Sequence, residues 1–376
     1  MTSAVFDVAI IGAGIVGAAC AAECAQAGMR VVVIESDLVG GSATSAGMGH
    51  LVVMDDSEAQ FALTRYSQTL WNELAPQLPA DVEYERRGTI WVAADGEEMV
   101  EVRRKQRFFE SRNVPVEVLD AKALEEAEPN LRKGLAGGLL VLEDGVVYPP
   151  CAARYLLEQA KTCGAEVRMG QPAIEVSREG ARLRDGTRIP ARVTVNAAGA
   201  MSPQLTPGVE VQKRKGHLVI TDRYPGFVHH QLVELGYLKS AHSITSDSVA
   251  FNVQPRRTGQ VLIGSSRQYG VDDLKVEAMM LHRMLQRASE YMPGLAQLSA
   301  IRAWTGFRPA TLDKLPLIGP FPGAEWLFLA TGHEGLGITT SLGTAKLLAD
   351  QLLNRPAQIP VEPYLPARAK QGAFHA

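Results

Sequence analysis

Apolar and polar positions over the first 35 residues of this chain follow the order of a strand, a turn, a helix and a second strand. Residues 8–11 (VAII) form an unbroken apolar run, which is typical of a strand buried on both faces of a parallel sheet. Residues 15–27 are rich in alanine and predict a helix, which Gly28 ends, and residues 29–34 predict the second strand. The pattern therefore predicts a βαβ unit of the α/β class.

The turn of this unit contains Gly12, Gly14 and Gly17 in the spacing G-x-G-x-x-G. In such turns the glycines allow a tight turn, close approach of a pyrophosphate, and close packing of the helix on the strand. The helix amides and dipole then face the phosphates. Glu35 directly follows the second strand, where a carboxylate can accept both ribose hydroxyls of an adenosine. The unit predicts an adenine-dinucleotide site and leaves NAD and FAD as alternatives.

A segment of small residues follows at 38–50 (LVGGSATSAGMGH), with almost no bulky side chains over a dozen positions. Such a segment can pass close to a flat ligand and offer it amides and hydroxyls. Its place directly after Glu35 favours ligand contact over a plain surface loop.

The rest of the chain alternates between patterns of the helical and the strand type. Helices are predicted at about residues 57–76, 96–112, 150–163, 274–290 and 338–353. The Lys and Arg residues of 96–112 are interpreted as a solvated face. Strands are predicted at residues 88–93, 166–168, 173–177, 192–195 and 327–330. Period-two patterns at 216–223, 249–255 and 260–266 indicate an antiparallel sheet, a different layer from the first.

Two more glycine-containing turns follow apolar strands, at 196–200 (NAAGA) and 331–338 (TGHEGLGI). Both place backbone at the carboxyl edge of a parallel sheet, where nucleotides bind.

The sequence therefore predicts an α/β fold in which a Rossmann-like domain is interrupted by an α+β substrate domain built on an antiparallel sheet. The segments assigned to the dinucleotide-binding domain are 1–85, 145–214 and 305–376. Those assigned to the substrate domain are 86–144 and 215–304.

Composition narrows the class of protein. The chain has 376 residues, enough for two domains, with 46% hydrophobic and 21% charged residues. A formal net charge of -3 argues against nucleic acid and anionic membranes as partners. The four cysteines do not form a disulfide framework, and Cys20 and Cys24 are expected to pack rather than bind a metal. With no signal peptide or transmembrane run in the pattern, we expect a cytoplasmic protein.

Six motifs taken together resemble the glycine oxidase / D-amino acid oxidase superfamily of FAD-dependent oxidoreductases: GAGIVG, Glu35, GGSATSAGM, VNAAGA, GFRPATLDKLPLIG and TGHEGLG. The run SAGMGHLVVMDDS is most similar to bacterial D-hydroxyproline dehydrogenase and related imino-acid dehydrogenases. The resemblance selects FAD over NAD, because the last turn returns to the ring region of the cofactor. The residues it implies for FAD binding are Gly12, Gly14, Ile15, Val16, Gly17, Glu35, Ser36, Ser42, Ala43, Thr44, Ser45, Gly47, Met48, Val176, Ala198, Gly199, Gly306, Gly332, His333, Gly335, Leu336, Gly337 and Ile338.

Relatives with covalently bound flavin use a His in the small-residue segment or a Cys near the Gly-Phe-Arg motif. Thr44 and the motif Gly306-Phe307-Arg308 stand at those places in this chain. The resemblance therefore implies noncovalent FAD.

The activity that the resemblance implies is oxidation of a small D-amino or imino acid to the imine, by hydride transfer to flavin N5. The expected substrates are cis-4-hydroxy-D-proline and D-proline. Arg308 is the predicted catalytic residue and carboxylate anchor, because a guanidinium makes two parallel hydrogen bonds to a carboxylate. The other predicted substrate-binding residues are Asn252, Arg267, Met48, His50 and His333. His333 is alternatively a turn residue, and Arg267 a surface ion-pair partner.

Three matters stay open at this point. The substrate is alternatively glycine or sarcosine. The chain is alternatively the flavin subunit of a multi-subunit amino acid dehydrogenase, or a homo-oligomer. The electron acceptor is oxygen, a quinone or another carrier.

Overall fold

The structure of the chain, a computed structural model, describes residues 5–236 and 247–370. Within these residues the strands are β1 Phe6–Ile11, β2 Val31–Ile34, β3 His50–Leu51, β4 Thr89–Ala93, β5 Val116–Asp120, β6 Gly137–Val141, β7 Gly145–Val146, β8 Glu166–Arg168, β9 Ala173–Ser177, β10 Gly180–Leu183, β11 Arg188–Asn196, β12 Gln212–Arg223, β13 Gln231–Glu234, β14 Ser248–Pro255, β15 Gln260–Arg267, β16 Ala300–Ala310, β17 Leu317–Phe321 and β18 Ala324–Thr331. The α-helices are α1 Ile15–Gln26, α2 Ser42–Ser45, α3 Glu58–Leu74, α4 Gly96–Glu110, α5 Ala121–Ala127, α6 Pro149–Thr162, α7 Ser202–Leu205, α8 Ala278–Tyr291 and α9 Gly337–Leu352.

The first sheet has the strand order β17-β18-β11-β1-β2-β8 and is parallel from β18 to β8. β17 runs antiparallel at one edge, and β9 and β10 join the sheet through β11. Ile10 lies opposite Val195 on one side and Val33 on the other, and all three belong to the apolar core that α1, α6 and α9 share. The predicted βαβ unit and α/β class are confirmed.

The second sheet has the order β16-β12-β15-β14-β13-β4-β6-β5. Its pairings are antiparallel except that β13 runs parallel to β4, so the sheet is mixed and the antiparallel prediction was wrong at this one pairing. β4 and β13 lie far apart in the sequence, and no hairpin sets their relative direction. One face of the sheet packs on α8, where the rings of Phe251 and Tyr291 stack with centroids 4.6 Å apart.

The predicted domain boundaries can be compared with the strands. The cuts at 214/215 and 304/305 fall inside β12 and β16, which pair continuously between the registers Gln212 with Ala310 and Ile220 with Arg302. Both predicted boundaries therefore divide paired strands of the second sheet. The division of the chain into two domains at these residues stays a prediction.

One lysine of the charged helix α4 is not solvated, which contradicts the interpretation of that helix as a solvated face. Lys105 is fully buried, its ammonium pairs with Asp55, and its Nζ lies 4.6 Å from the ring centroid of Trp91. Burial alone would raise the pKa of the Asp55 carboxyl, but Lys105 and Arg104 together hold it below its usual value. This pair joins α4 to the segment that follows β3.

The two cysteines of the first helix are both buried, as expected for packing residues. Burial raises the pKa of the Cys24 thiol to about 12, so it stays protonated at neutral pH. No described helix combines the length and apolarity needed to cross a bilayer.

Candidate functional site

The glycine turn after β1 has no room for side chains. Gly12 has a φ of +107°, in the left-handed region, and a Cβ there would lie 2.7 Å from the Ala197 carbonyl oxygen. A Cβ on Gly17 would overlap the carbonyl oxygen of Gly12. A Cβ on Gly14 would lie 3.3 Å from the Thr44 hydroxyl oxygen. The start of α1 is therefore packed directly against the turn.

The helices α1, α2 and α9 all begin without a side-chain hydrogen bond at the N-cap. The Ile15 amide at the start of α1 donates to Thr44 Oγ1 at 3.0 Å, which ties α1 to α2. A Cβ on Gly337, at the start of α9, would lie 3.9 Å from Val16 Cγ2, so α1 and α9 begin side by side. Backbone amides at uncapped N-termini, together with the helix dipoles, bind anions such as a pyrophosphate.

Glu35 is buried at the mouth of the same turn. Its Oε2 accepts a hydrogen bond from the Ala13 amide at 2.7 Å, and its Oε1 accepts from the Asp37 amide at 2.8 Å and the Ser36 hydroxyl at 3.1 Å. These bonds fix the orientation of the carboxylate, which retains lone pairs for a ribose diol. Glu35 thus lies beside the glycine turn, and its contact with a ribose stays a prediction; its bond to the turn amide was not foreseen.

The other residues predicted to bind the cofactor lie mainly in segments that meet at this turn. The Gly199 carbonyl accepts from Thr331 Oγ1 at 3.0 Å, which joins the ends of β11 and β18. A Cβ on Gly47 would lie 2.7 Å from Ile338 Cδ1, so the small-residue segment touches the start of α9. Val176 is on β9 and packs on the apolar cluster that covers the other face of β1 and β2.

His333 is buried, and its Nε2 lies 2.9 Å from Thr344 Oγ1 of α9. Burial lowers the pKa of His333 to about 3, so the ring is neutral. The contact with Thr344 supports its alternative interpretation as a turn residue rather than a substrate contact.

Three glycines line the face of the second sheet that is turned away from α8. Gly216 and Gly306 lie opposite each other on β12 and β16. A Cβ on Gly306 would overlap Ala46, and a Cβ on Gly264 would lie 3.0 Å from Met48 Sδ. The small-residue segment therefore packs on this face through glycine positions, which allow close backbone approach. Met48 packs on this face beside Leu218 and Leu262, and its predicted contact with the cofactor stays a prediction.

Arg308 lies across this glycine face. Its Nη1 donates to the Ser266 carbonyl at 2.9 Å, and a Cβ on Gly216 would overlap its guanidinium. Arg214 is opposite Arg308 in register and pairs with Glu334. Two cations and one carboxylate are thus gathered at this end of the face. Sequence reasoning singled out Arg308 but missed Gly216, although a glycine inside a strand pattern is a known sign of close approach.

Arg267 ends β15 and is buried, which excludes the alternative of a surface ion pair for this residue. Its neighbour Ser266 points toward α8, where its hydroxyl lies 3.0 Å from His217 Nδ1.

His50 and Asn252 form a polar corner at the other end of the glycine face. His50 is on β3, and its Nδ1 is hydrogen-bonded to Gln231. The buried atoms His50 Nε2 and Asn252 Oδ1 have no hydrogen-bond partner among the residues that the structure describes. Buried polar atoms are rarely left unsatisfied, and such atoms facing a site indicate a polar ligand group.

Asp144 is a fully buried carboxyl near this corner, and it was not recognised in the sequence. Burial raises its pKa to about 7, although hydrogen bonds from Thr89, the Val53 amide and Gln68 oppose the shift. An acid with a raised pKa binds a proton in the native state that the unfolded chain has lost. The free energy of unfolding therefore falls as the pH rises from about 4 to about 7.

An Asp144→Asn variant tests this shift. An amide keeps the acceptor oxygen and never ionises, so relative to wild type the variant should gain about 2–4 kcal/mol of unfolding free energy between pH 4 and pH 8. Urea denaturation at both pH values measures the gain, with the exposed Asp56→Asn as control. An equal difference between variant and wild type at both pH values would contradict the raised pKa.

The glycine turn, the uncapped helix starts and Glu35 fit the adenosine diphosphate half of a dinucleotide, and the glycine face of the second sheet fits a flat ring. This fold and site define a dinucleotide-dependent oxidoreductase. The chain matches the FAD dependent oxidoreductase family, DAO, over residues 7–351, and it belongs to that family. FAD is accordingly its cofactor.

Similar proteins agree with this assignment. The chain is 29% identical to the glycine oxidase of Geobacillus kaustophilus over 374 aligned positions, 96% of each chain. It is 28% identical to the hydrogen cyanide synthase subunit HcnC of Pseudomonas aeruginosa over 415 aligned positions, also 96% of each chain. The crystal structure of glycine oxidase from G. kaustophilus superposes with a TM-score of 0.87 at 27% identity, covering 97% of this chain and 99% of that one. L-proline dehydrogenase from P. horikoshii shares the fold, with a TM-score of 0.86 at 22% identity over 98% of both chains.

Proposed function

We propose that this protein oxidises a small D-amino or imino acid to the imine, with cis-4-hydroxy-D-proline and D-proline as its preferred substrates. The observation that carries the proposal is the position of Arg308 on the glycine face, held by the Ser266 carbonyl. A guanidinium is planar and carries five N–H donors in a fork that matches a carboxylate, so it orients the acid as well as binding it.

Bound FAD supplies the acceptor for the hydride that leaves the α-carbon. The protein has to hold the acid so that this carbon faces the flavin, and to keep water and wrong orientations out. Arg308 holds the carboxylate in this proposal, and Met48, which packs on the glycine face, would line the ring of the cofactor. When the substrate binds with its amine unprotonated, its oxidation does not require a strong general base. No Ser-His-Asp or Cys-His arrangement is therefore needed.

A polar pocket favours a hydroxylated imino acid over glycine. Asn252 lies on the glycine face, and the corner beside it contains buried atoms without partners among the described residues. Glycine has no side chain to meet such groups. The similarity to L-proline dehydrogenase concerns the fold alone, so the cyclic substrate rests on the pocket and on the motif SAGMGHLVVMDDS.

Glycine or sarcosine is the second candidate substrate, favoured by the likeness to glycine oxidase over 96% of both chains. The pairing of Arg214 with Glu334 weakens it, because that carboxylate occupies the turn near the site. The likeness to HcnC, a subunit of hydrogen cyanide synthase, supports a third candidate, a flavin subunit that acts with partners.

We also propose that the FAD is noncovalent. Thr44 stands at the place where relatives carry a flavin-linked His. Its hydroxyl oxygen accepts a hydrogen bond from the Ile15 amide. Acid precipitation should release all the yellow colour into the supernatant, and a pellet that stays yellow and fluorescent would contradict this.

Anaerobic bleaching of the flavin tests the proposed function. The purified FAD-loaded protein is mixed with cis-4-hydroxy-D-proline, D-proline, sarcosine or glycine, and the flavin absorbance is followed. We expect fast bleaching by the two ring substrates and slow or no bleaching by glycine. Faster bleaching by glycine or sarcosine would establish the second candidate, and no bleaching without added partner chains would favour the subunit. Repeating turnover with oxygen and with an artificial dye identifies the class of electron acceptor.

A further inference from the structure

The end of strand β15 contains a bulge. Between the register of Val219 with Ile263 and the bridge of Lys215 with Gln268, β12 advances four residues while the chain of β15 advances five. The extra residue makes a β-bulge, a feature that re-aims groups out of the regular ladder and is common next to active sites. Ser266 lies within this bulge.

Ser266 contributes one polar group to each face of the sheet. On the glycine face its carbonyl accepts from Arg308 Nη1 at 2.9 Å. On the face that packs on α8, its hydroxyl oxygen accepts from the backbone amide of His217 at 2.9 Å and lies 3.0 Å from the ring Nδ1 of the same residue. Ser266 and His217 are each at most 1% exposed. Because both contacts of the hydroxyl come from one residue, His217 fixes the orientation of Ser266.

The tautomer of His217 follows from its other ring nitrogen. The Glu277 backbone amide donates to His217 Nε2 at 3.1 Å. A backbone amide can only donate, so Nε2 carries a lone pair, and the proton of the neutral ring is on Nδ1, where it points to the Ser266 hydroxyl. Burial, Lys215 and Arg308 lower the pKa of His217 against the opposing effect of Glu277, so the ring is neutral at pH 7.

Glu277 is itself held in place at the start of α8. Its Oε1 lies 3.3 Å from Nζ of the buried Lys215, and its Oε2 accepts from Gln268 Nε2 at 2.9 Å. The amide that contacts His217 is therefore fixed both by the helix that follows it and by side chains of the sheet. A line of hydrogen bonds thus crosses the second sheet, from the start of α8 to the predicted carboxylate anchor.

We propose that His217 is a positioning residue: with its proton on Nδ1, it holds Ser266 so that the Ser266 carbonyl sets the direction of the Arg308 guanidinium. The inference rests on the anchor role of Arg308 in the proposed function. An arginine side chain has many rotamers, and a bond that selects one of them lowers the entropy lost when a carboxylate binds. His217 lies on the other face of the sheet from the anchor, so it acts only through Ser266.

Two substitutions of His217 separate its two ring contacts. An asparagine amide takes the place of Nδ1 and can donate to the Ser266 hydroxyl, whereas a glutamine amide takes the place of Nε2 and can accept from the Glu277 amide. The FAD-loaded variants are titrated with acetate, the smallest carboxylate suited to the anchor, and binding is followed by flavin absorbance. His217→Gln should raise the Kd of acetate by about tenfold, and His217→Asn should stay within about threefold of wild type. The reverse order of the two variants would overturn the proposal.

His230→Gln is the matched control. The ring of His230 is partly buried, and its Nδ1 lies 2.8 Å from Glu128 Oε1. It directly precedes β13, which is four places from β16 in the strand order of the sheet. This variant also loses a histidine contact, and it should leave the Kd of acetate unchanged. An equal rise in both glutamine variants would indicate a general loosening of the sheet and would contradict the positioning role.

A double-mutant comparison tests whether His217 acts through Arg308. The quantity measured is kcat/KM for flavin reduction, with the amino or imino acid that reduces the wild-type flavin fastest. His217→Gln should lower kcat/KM by about tenfold in wild type but by less than about twofold in Arg308→Ala, which has no guanidinium left to position. Equal losses in the two backgrounds would show that His217 does not act through the anchor.

The outcomes distinguish this inference from the proposed function. If Arg308→Ala weakens acetate binding but His217→Gln does not, the positioning role is wrong and the anchor stands. If acetate binding does not depend on Arg308, the anchor is wrong and the inference falls with it. If no acid of the panel reduces the flavin, the proposed function is wrong, whereas the acetate titration still decides the role of His217.

Discussion

An Arg308→Ala variant should lose about 3–5 kcal/mol of transition-state stabilisation, seen as a drop of roughly 10²- to 10³-fold or more in kcat/KM for an amino acid substrate. The loss is expected because, without the Arg308 guanidinium, the substrate carboxylate would be buried on the glycine face with no cation to pair with it. Stopped-flow flavin reduction measures the effect. Arg308→Lys should recover part of the loss, because a lysine keeps the charge and loses the paired donors. The exposed Arg192→Ala serves as the control.

Gly216→Ala offers a gentler change at the same place. A Cβ on Gly216 would overlap the Arg308 guanidinium, which is the end of a flexible side chain and can move at little cost in stability. We therefore expect normal flavin content and unfolding midpoint with a raised KM. Wild-type kcat/KM in both Arg308→Ala and Gly216→Ala would remove Arg308 from the role of anchor.

Gly17→Ala should yield a protein that is purified with little or no FAD. Helix propensity alone predicts the opposite, because alanine is favoured over glycine in a helix by about 1 kcal/mol. The deciding contact is with the Gly12 carbonyl, which a Cβ on Gly17 would overlap. Gly12 cannot yield easily, since its amide donates to the Ile34 carbonyl at 2.8 Å. Displacing α1 from the turn should cost at least about 1–3 kcal/mol of folding free energy. The displacement would distort the phosphate-binding turn itself.

The flavin-to-protein ratio and a titration with added FAD measure this effect. Gly96→Ala is the matched control, because Gly96 begins α4 with nothing within 4 Å of a Cβ. That variant should keep its flavin and be as stable as wild type or slightly more so. A full complement of FAD in Gly17→Ala would show that the close packing at this turn is not required.

Much of the cofactor half of the site follows from local sequence. Short local patterns specify the turn from Gly12 to Gly17, the acid at Glu35 and the later glycine turns. Each depends almost entirely on residues of its own strand-turn-helix segment. For that reason the order of strand, glycine turn, helix and second strand at the start of the first sheet agrees with the prediction. Arg308 was found for a related reason, since it stands within a recognisable motif.

The substrate half was harder to predict, because its contacts join distant parts of the chain. Lys105 was assigned to a solvated face, yet it is buried against Asp55 and Trp91, residues of two other segments. The parallel pairing of β13 with β4 brings Gln231 opposite Thr89, and the sequence of neither strand predicts this pairing.

The sequence by itself therefore determined the α/β class, the dinucleotide turn and the arginine that we propose as anchor, because each depends on neighbours in the chain or on a motif. Only the tertiary structure decided which side chains face one another: Gly216 under Arg308, His333 against Thr344, and Gln231 between Thr89 and His50. The physical reason is that burial and hydrogen-bond direction depend on the register between strands far apart in the sequence. Local sequence patterns do not encode that register.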